Sequence, residues 1–377
     1  MENDFDQVSG PHEVLFVGTG GIAGVQAESV ARLGGRAKVT AAVDIDPARL
    51  AAFAERWDVP RTYPDLDSAL VAERPSLVHL CTPPGLHREQ ATACLLAGLD
   101  VLCEKPPALS LAELDEIAAA ERASAGQFAC VFQHRFGSRA RALRALLADG
   151  TLGRPLTAVC DTLWYRPDDY FDPPWRGRWA TEGGGPTMGH GIHQMDLLLS
   201  VLGRWTQVVA VAARQARPTE TEDLSAAVVT FASGAVATVV NSLLSPRETS
   251  YLRFDTERAT VEVEHLYGYD DRSWRVTPAP GHEERVAAAW AAAPSGQGSG
   301  HHAQIAAVLD AKQAGRPLPV ALAAARHTME LVAAIYASAF TGRPVRAGEI
   351  TAGHPFHRRM DGPGAPWAGT PAAAGVA

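Results

Sequence analysis

Short apolar runs alternate with Ala- and Leu-rich stretches through the first third of the chain. The apolar runs predict strands at residues 14–17, 39–43, 77–81, 101–103 and 128–132. The stretches between them predict helices at residues 24–33, 47–57, 66–73, 86–97 and 111–124. Strands that are apolar along their whole length are typical of a parallel sheet covered by helices on both faces. The pattern therefore predicts a doubly wound α/β domain over residues 1–135.

After residue 135 the pattern changes. A helix at 138–148 precedes strand-like segments at residues 156–163, 208–213, 225–230, 235–241, 251–254 and 260–263. Two closing helices are predicted at residues 301–314 and 320–339. Successive strands separated by turns favour an α+β domain with a largely antiparallel open sheet, over residues 136–350. Residues 351–377 form a C-terminal tail, and its part from Asp361, which is rich in Pro, Gly and Ala, is expected to be poorly ordered or to act as an arm.

Composition narrows the class of protein. The chain has 377 residues, of which 46% are hydrophobic and 20% charged, as in a globular protein of two domains. A net charge of −8 without a basic run argues against a nucleic-acid partner. The acidic start, MENDFDQVSG, is unlike a secretory signal, and no run reaches the roughly 18 apolar residues of a membrane helix. Five cysteines without CxxC spacing suggest reduced thiols, so we expect a cytoplasmic protein without a membrane partner.

A glycine-rich motif follows the first predicted strand and opens the first helix. It has the form GxGxxA, and the residues expected to contact a cofactor are Gly18, Gly20, Gly21, Ile22 and Ala23. The first glycine permits a tight turn, the second lets the backbone approach a pyrophosphate, and the alanine lets the helix pack closely on the strand. Between a strand and a helix, this motif predicts a Rossmann domain that binds a dinucleotide.

The end of the second strand bears on the choice of cofactor. Asp44 lies where a carboxylate accepts hydrogen bonds from the adenosine ribose, and it would repel a 2′-phosphate. The nearest arginine, Arg49, is a helical turn away. NAD is therefore favoured over NADP. The alternative role for Asp44 is a turn residue or helix cap before Pro47, and Asp46 suits that role better.

Polar residues also follow the next two strands. Thr82 and Pro83 come at the end of one strand, with His87 shortly after, and Glu104 and Lys105 end the next. Because the carboxyl ends of parallel strands form the ligand-binding edge of an α/β sheet, we expect these residues to face the cofactor.

A third motif lies in the second domain. Three glycines at 183–185 precede Gly191-Ile192-His193-Gln194-Met195-Asp196 at the start of a predicted helix. His193 is a candidate acid or base, because the unperturbed pKa of histidine lies near working pH. Asp196 is interpreted as a structural residue that faces the domain interface.

These segments together resemble the Gfo/Idh/MocA family of oxidoreductases. The resemblance spans residues 13–350 and rests on GTGGIA, TPP, AGLDVLCEKP, GGG…GIHQMD and AIYASAFTGRPV. It implies an NAD(P)-dependent enzyme acting on CH–OH groups of sugars, sugar derivatives or inositol-like polyols. It also implies that the second domain binds substrate and forms homodimers or homotetramers through its open sheet.

The resemblance assigns the catalytic roles. Lys105 would bind the reacting hydroxyl and stabilise its developing negative charge, and His193 would be the general base in oxidation or the acid in reduction. Each residue also has an ordinary interpretation: Lys105 as a solvated surface lysine, and His193 as a helix-packing histidine.

The chain departs from the family at one position. Many relatives carry an Asp four residues before the histidine, whereas here that position is Gly189, followed by His190. The change keeps two alternatives open: a redox-neutral enzyme that retains NAD, oxidises transiently, eliminates and re-reduces, or a non-catalytic dinucleotide-binding sensor. The presence of Lys105 and His193 argues against the sensor.

An aromatic and arginine-rich segment at residues 164–179 is a candidate substrate wall. Stacking on sugar rings and hydrogen bonding to hydroxyls suit such residues. The residues predicted to bind substrate, besides Lys105 and His193, are Tyr165, Trp175, Arg176, Trp179 and His190. Loop packing and a subunit interface are competing explanations. His301 and His302 are secondary candidates, and the spacing of the histidines predicts no metal site.

Overall fold

A fully parallel six-stranded sheet forms the N-terminal part of the computed structural model, which describes residues 10–369. Its strands are β1 (His12–Val17), β2 (Ala37–Val43), β3 (Arg61–Tyr63), β4 (Leu77–Leu80), β5 (Val101–Cys103) and β6 (Phe128–Cys130). Their spatial order is β3-β2-β1-β4-β5-β6, so the sheet is doubly wound and its order reverses between β1 and β4. The predicted fold class is confirmed.

Five helices cover this sheet. They are α1 (Gly21–Ala31), α2 (Pro47–Trp57), α3 (Leu66–Ala72), α4 (His87–Leu96) and α5 (Leu111–Arg122). The local sequence explains where α2 begins. The Asp46 carboxylate accepts hydrogen bonds from the backbone N–H groups of Ala48 and Arg49, and Pro47 occupies the first turn of α2. Asp46 is thus the cap, as expected, and Asp44 is free for another role.

The second sheet has eight strands and is mostly antiparallel. Its strands are β7 (Pro155–Tyr165), β8 (Trp205–Ala213), β9 (Leu224–Phe231), β10 (Val236–Ser242), β11 (Leu244–Thr256), β12 (Ala259–His265), β13 (Trp274–Pro278) and β14 (Val345–Arg346). The spatial order is β13-β12-β11-β7-β10-β9-β8-β14, and only β7 and β10 pair in parallel among these described strands. The sheet is therefore mixed, with the predicted antiparallel character.

The remaining helices are α6 (Ser138–Ala148), α7 (Pro186–Gly189), α8 (Ile192–Leu202), α9 (Glu283–Ala292), α10 (His301–Gln313), α11 (Leu322–Thr341) and α12 (Pro355–Arg358). Helices α8 and α11 cover one face of the second sheet and share its core. On the other face, Val209 is 47% exposed and Val211 is 66% exposed. One face of this sheet is therefore open.

Helix α10 packs on the first domain, although it follows the second sheet in the chain. Ile305, Val308 and Leu309 are buried with apolar residues of α1 and β1. The domain boundaries at residues 135 and 350 remain predictions, but the range 136–350 does not describe where this helix packs.

The described part of the C-terminal tail packs against the protein, so residues 361–369 agree with the arm rather than with the poorly ordered alternative. Phe356 is buried and contacts the Phe340 ring. The indole of Trp367 packs edge-on against Phe340 and donates a 2.8 Å hydrogen bond to the Glu220 carbonyl oxygen. Aromatic side chains thus hold residues 355–367 on the second domain. The last part of the predicted tail, residues 370–377, and residues 1–9 lie outside the described residues.

Candidate active site

A cavity of about 970 Å³ lies between the two domains. The first domain contributes the carboxyl ends of β1, β2, β4 and β5, which is the expected ligand-binding edge. The second domain contributes residues from β7, from the loop that follows it and from α7 and α8. Of the predicted residues, the cavity is lined by Gly18, Gly20, Gly21, Ile22, Asp44, Thr82, Pro83, Glu104, Lys105, Trp175, Arg176, His190, His193 and His301.

The glycine turn has the shape that a dinucleotide requires. At Gly18, φ is +85°, and a Cβ would lie 2.9 Å from the carbonyl carbon of Cys81, so only glycine fits. A Cβ at Gly20 or Gly21 would meet no atom within 4 Å among the described residues, which leaves open space above the turn. No described side chain caps α1, and its first turn has no acidic residue. Free N–H groups at a helix N-terminus suit a pyrophosphate, so these residues fit the cofactor. Ala23 is buried beneath the turn, where it allows close packing, and it does not line the cavity.

Asp44 stands beside the turn and is 7% exposed. Its carboxylate accepts 2.8 Å hydrogen bonds from the backbone N–H and the hydroxyl of Thr19, and a 2.9 Å bond from the N–H of Asp46. These donors, with the nearby Arg49 guanidinium at 3.6 Å, outweigh burial and lower the pKa of Asp44. The carboxylate is held ionised at the cavity wall. Arg49 also lines the cavity, which its spacing in the sequence did not indicate.

His87 is fully buried and does not line the cavity, contrary to the expectation that it contacts the cofactor. Its ring lies between two strand-end segments, with Nδ1 2.8 Å from the Pro106 carbonyl oxygen and Nε2 2.9 Å from that of Thr82. The ring therefore ties the Thr82 segment to the segment that carries Lys105, and any effect on a ligand is indirect.

Glu104 is buried at the centre of a polar cluster. Its Oε1 accepts a 2.5 Å hydrogen bond from the Gln26 amide and lies 3.3 Å from Nε2 of His301. Its Oε2 accepts from the backbone N–H of Lys105. Burial raises the pKa of Glu104, but His301, Lys105 and Gln26 lower it by more. The pKa of Glu104 therefore lies below its usual value. A buried carboxylate is thus fixed next to Lys105.

Lys105 reaches across the domain boundary. Its Nζ donates a 2.7 Å hydrogen bond to the Gly189 carbonyl oxygen, at the end of α7. Burial and the Arg176 charge lower the pKa of the ammonium below its usual value, and Glu104 and Glu182 offset this only in part. The structure therefore places this lysine in the cleft rather than in solvent.

His193 lies in the first turn of α8 and is 8% exposed. Its ring stacks on His134 at a centroid distance of 5.1 Å and meets Phe132 edge-on. Burial, together with Lys105 and the neighbouring histidines, lowers the pKa of His193 well below its usual value. The imidazole is therefore neutral near neutral pH, which is the form that accepts a proton.

The outer wall is built from stacked aromatic rings and guanidinium groups. Arg176 lies over the rings of Tyr170 and Trp175, at 4.1 and 4.3 Å from their centroids. The Tyr170 hydroxyl is 3.3 Å from Nε2 of His190. Such a wall offers flat apolar faces and several hydrogen-bonding groups to one ligand.

Two predicted substrate residues do not reach this wall. Tyr165 is 40% exposed and stacks under Arg217 instead. Trp179 packs against Tyr336 and Phe340 and donates a hydrogen bond to the Glu220 carbonyl oxygen. Both belong to packing of the second domain, the competing explanation for this segment. His302 is also outside the cavity, with Nδ1 3.2 Å from the Ser29 carbonyl oxygen.

Asp196 has a structural environment. It is fully buried, and Nε and Nη2 of Arg135 each donate a 2.5 Å hydrogen bond to its carboxylate. The Thr328 hydroxyl donates a third bond. A buried pair of this kind joins the segment after β6 to α8 and α11, as the structural interpretation of Asp196 predicts.

Several cavity residues were not predicted from the sequence. They are Arg49, Gln90, Gln133, Trp164, Arg166, Tyr170, Glu182 and Tyr267, among others. Trp164, Arg166 and Tyr170 lie within the segment 164–179, so its composition was a usable signal. Glu182 precedes the three glycines, and no local pattern marks it.

Residues 10–369 contain no group of three or more His, Cys, Asp or Glu side chains arranged to hold a metal ion. Nor does any helix in this range combine the length and apolarity needed to cross a membrane.

Two family models match successive parts of the chain. Residues 12–132 match an oxidoreductase family with an NAD-binding Rossmann fold. Residues 140–264 match the GFO/IDH/MocA C-terminal domain. The first domain is therefore an NAD-binding Rossmann domain.

Individual proteins show the same likeness. The chain is 29% identical over 198 residues to D-glucoside 3-dehydrogenase of Escherichia coli, which covers 52% of this chain and 55% of the relative. It is 37% identical over 180 residues to a putative UDP-kanosamine synthase oxidoreductase subunit of Amycolatopsis mediterranei. This match covers 46% of this chain and 48% of the relative. The matches thus span about half the length of these relatives.

A solved structure covers more of the chain. The WlbA dehydrogenase of Chromobacterium violaceum, in complex with NADH and UDP-GlcNAcA, superimposes with a TM-score of 0.79 at 26% identity. The superposition covers 91% of this chain and 98% of that one. Together with the two family models, this shows that the chain belongs to the Gfo/Idh/MocA family of oxidoreductases.

Proposed function

We propose that this protein is an NAD-dependent oxidoreductase that acts on a secondary alcohol or ketone of a sugar, sugar derivative or inositol-like polyol. One observation carries the proposal: Lys105 from the first domain and His193 from the second line the same cavity as the glycine turn. An ammonium and a neutral imidazole near a nicotinamide site are the groups that alcohol oxidation needs.

The residues at the glycine turn would hold the cofactor. Gly18, Gly20 and Gly21 would accommodate the pyrophosphate at the start of α1, and Asp44 would bind the adenosine ribose. The Asp44 carboxylate favours NAD over NADP. When bound, NAD supplies the nicotinamide ring that exchanges a hydride with the substrate carbon.

His193 would move the proton. In oxidation its imidazole accepts the proton of the reacting hydroxyl, and in reduction it returns that proton to the oxygen. Its Nδ1 is buried without a hydrogen-bond partner among the described residues, so Nε2 is the atom that we assign to this transfer. Burial and the Lys105 charge keep the ring neutral and ready to accept.

Lys105 would bind the reacting oxygen. One of its three N–H bonds points to the Gly189 carbonyl oxygen, which leaves two for a substrate hydroxyl. A positive charge beside this oxygen stabilises the alkoxide character that develops as the proton leaves. Glu104, fixed next to Lys105, supports the charged form of the lysine.

The outer wall supports a sugar-like substrate. Trp175, Tyr170 and Trp164 offer ring faces, and Arg176 and His190 offer polar groups around them. The named activity of the Escherichia coli relative, a D-glucoside dehydrogenase, is consistent with this substrate class.

The test is a substrate panel with added NAD, followed by absorbance near 340 nm. The panel contains methyl glucosides, free hexoses, a UDP-sugar and myo-inositol, and the matched control is Lys105→Met, which keeps the length of the side chain without its charge. Steady NADH formation that falls about 100-fold or more in the variant supports the proposal. Lys105-dependent product formation without net NADH would support the redox-neutral alternative. NAD binding without any turnover across the panel would contradict the proposed function.

We also propose that the protein is a homo-oligomer assembled through the open face of the second sheet. Val209 and Val211 of β8, Val228 of β9 and Val236 of β10 are each between 40% and 66% exposed on described strands. Rows of exposed valines on neighbouring strands are unusual for a face in contact with water and suit a subunit interface.

A further inference from the structure

Glu182 is a buried carboxylate in the cavity wall to which the mechanism above gives no role. It lies in the loop between β7 and α7 and is 7% exposed. Its Oε2 accepts a 2.6 Å hydrogen bond from the Gly177 N–H, and its Oε1 lies 3.4 Å from Nη1 of Arg176. Burying a carboxylate is costly, and these two donors satisfy it only in part.

The Oε1 atom of this carboxylate, which Arg176 also contacts, faces position 189. A Cβ built on Gly189 would meet only one atom within 4 Å among the described residues, Oε1 of Glu182 at 3.8 Å. The carbonyl oxygen of the same glycine accepts the Lys105 hydrogen bond. Glu182 therefore borders the space into which a side chain at position 189 would project, next to the backbone group that holds the lysine.

We propose that Glu182 is the positioning carboxylate of this site, which takes from a neighbouring loop the place that a side chain at position 189 would otherwise fill. The inference rests on the proposed function. In it, Glu182 acts through Lys105: its negative charge keeps the ammonium protonated and directed into the cavity. A side chain at position 189 would project toward this carboxylate, with its Cβ in ordinary van der Waals contact with Oε1.

The electrostatics agree with this arrangement. Burial raises the pKa of Glu182 above its usual value, and the Gly177 N–H, Arg176 and Lys105 offset this only in part. In return, Glu182 raises the pKa of Lys105. The charged and titratable groups that change the pKa of Lys105 are Glu104, Glu182, Arg176 and Cys130. The Lys105 charge in turn lowers the pKa of four histidines, His87, His134, His190 and His193.

Glu182 is also linked to the outer wall. Arg176 donates from the same Nη1 to the Tyr170 hydroxyl, which lies 3.3 Å from Nε2 of His190. Polar contacts therefore run from Glu182 to His190, the residue that follows Gly189. Through this connection the carboxylate is fixed relative to the substrate wall.

A purely structural role is the competing explanation, because Glu182 also anchors the Gly177 backbone. The two roles differ in what they predict for Lys105. Positioning requires that the proton affinity of Lys105 depend on the charge at residue 182, whereas an anchor affects only stability.

The test measures the titration of Lys105 without any substrate. The chain has three lysines, Lys38, Lys105 and Lys312, so acetylation by acetic anhydride at a series of pH values, read by peptide mass spectrometry, reports each one separately. In Glu182→Gln, the midpoint for Lys105 should move about one pH unit lower, because a neighbouring negative charge is lost. The acetylation midpoint of Lys38 should not change. The matched control Asp168→Asn removes an exposed carboxylate of the same loop and should leave all three midpoints unchanged.

A reciprocal variant tests the position itself. Gly189→Asp, combined with Glu182→Gln, should return the Lys105 midpoint toward the native value, because the new carboxylate restores a negative charge beside the group that holds the lysine. Gly189→Asp alone should move the midpoint higher, and this variant keeps the inference testable if Glu182→Gln does not fold. An unchanged Lys105 midpoint in folded Glu182→Gln, or in Gly189→Asp, would overturn the inference.

Failure of this inference can be distinguished from failure of the proposed function. A shifted Lys105 midpoint together with no turnover on the sugar panel would leave Glu182 as a positioning residue and remove the oxidoreductase proposal. Lys105-dependent turnover together with an unchanged midpoint would support the oxidoreductase proposal and remove the positioning role of Glu182. If both hold, Glu182→Gln should lower kcat/KM about tenfold or more and move the alkaline limb of the pH profile to lower pH.

Discussion

The Lys105 ammonium donates a 2.7 Å hydrogen bond to the Gly189 carbonyl oxygen, and this contact joins the end of a Rossmann strand to the turn that precedes α8 in the second domain. The lysine and His193 thereby line one cavity. A change in how the two domains meet would alter the distance between the two proposed catalytic groups, so catalysis should depend on this contact as well as on the groups themselves.

His193→Ala should lower kcat/KM about 100-fold or more in steady-state assays of NADH formation, because the proton acceptor is lost. NAD affinity, measured by calorimetry, should change little. The oxidation rate of the native protein should hold below pH 6.5, since burial lowers the pKa of His193, and should fall at more acid pH as the ring becomes protonated. Equal rates for the variant and the native protein would remove His193 from the mechanism.

The two glycines of the turn should respond differently to the same substitution. Gly20→Ala adds a Cβ to open space, so the unfolding free energy should be nearly unchanged while NAD binds about tenfold more weakly, because the backbone no longer approaches the pyrophosphate. Gly18→Ala puts a Cβ 2.9 Å from the Cys81 backbone at a φ of +85°, so it should cost about 1–3 kcal/mol in urea unfolding. If both variants bind NAD as tightly as the native protein does, the cofactor must bind elsewhere.

Buried histidines should make the protein sensitive to acid. Burial lowers the pKa of His79 and of His134 to about 3, and that of His265 to about 4. Below pH 6.5 the unfolded chain binds protons that the folded protein does not, so the free energy of unfolding should fall as pH falls, by up to about 1.4 kcal/mol per histidine and pH unit. Urea unfolding at pH 7.5 and 5.5 measures this loss.

His265→Phe is the control for this prediction. Both ring nitrogens of His265 are buried without a hydrogen-bond partner among residues 10–369, and the ring packs edge-on against His134 and Tyr269. Phenylalanine keeps the ring and removes the group that titrates, so the variant should lose less stability than the native protein between pH 7.5 and 5.5. A loss equal to the native one would show that His265 does not contribute.

Val211→Glu tests the proposed oligomer. Val211 is 66% exposed on the open face of the second sheet, so a charge there should weaken a subunit interface without unfolding the protomer. Light scattering should show a smaller particle for the variant than for the native protein. Val71→Glu, at an 82% exposed position of α3, is the matched control and should leave the particle size unchanged. A native protein that is monomeric would contradict the oligomer directly.

Elements with a long periodic pattern were predicted well, and short or exposed ones were missed. The five strands and five helices predicted for the first domain are present, with small shifts of their ends. The strands Arg61–Tyr63 and Val345–Arg346 have too few residues to show an alternation, and they form because a neighbouring strand edge is available. The helix Glu283–Ala292 was missed because its apolar face is narrow: Val286 is its one fully buried residue, and Ala289 and Trp290 are partly buried beside it.

The site residues differ in the same way: those with a clear local pattern were predicted, and some of those chosen from composition alone were wrong. The glycine turn, Asp44 and Lys105 were found because each ends a recognisable strand. Tyr165 and Trp179 were chosen from local composition, but an aromatic side chain can face a core as readily as a ligand, and both pack away from the cavity.

The sequence by itself determined the alternation of strands and helices, the glycine turn and the position of Lys105 at a strand end, because backbone periodicity and the steric freedom of glycine are local properties. Only the tertiary structure decided that Lys105 meets Gly189, that His87 is buried between two strand-end segments, and that Glu182 faces position 189. These contacts join residues that are distant in the chain, and they depend on how whole sheets and helices pack, which no short segment encodes.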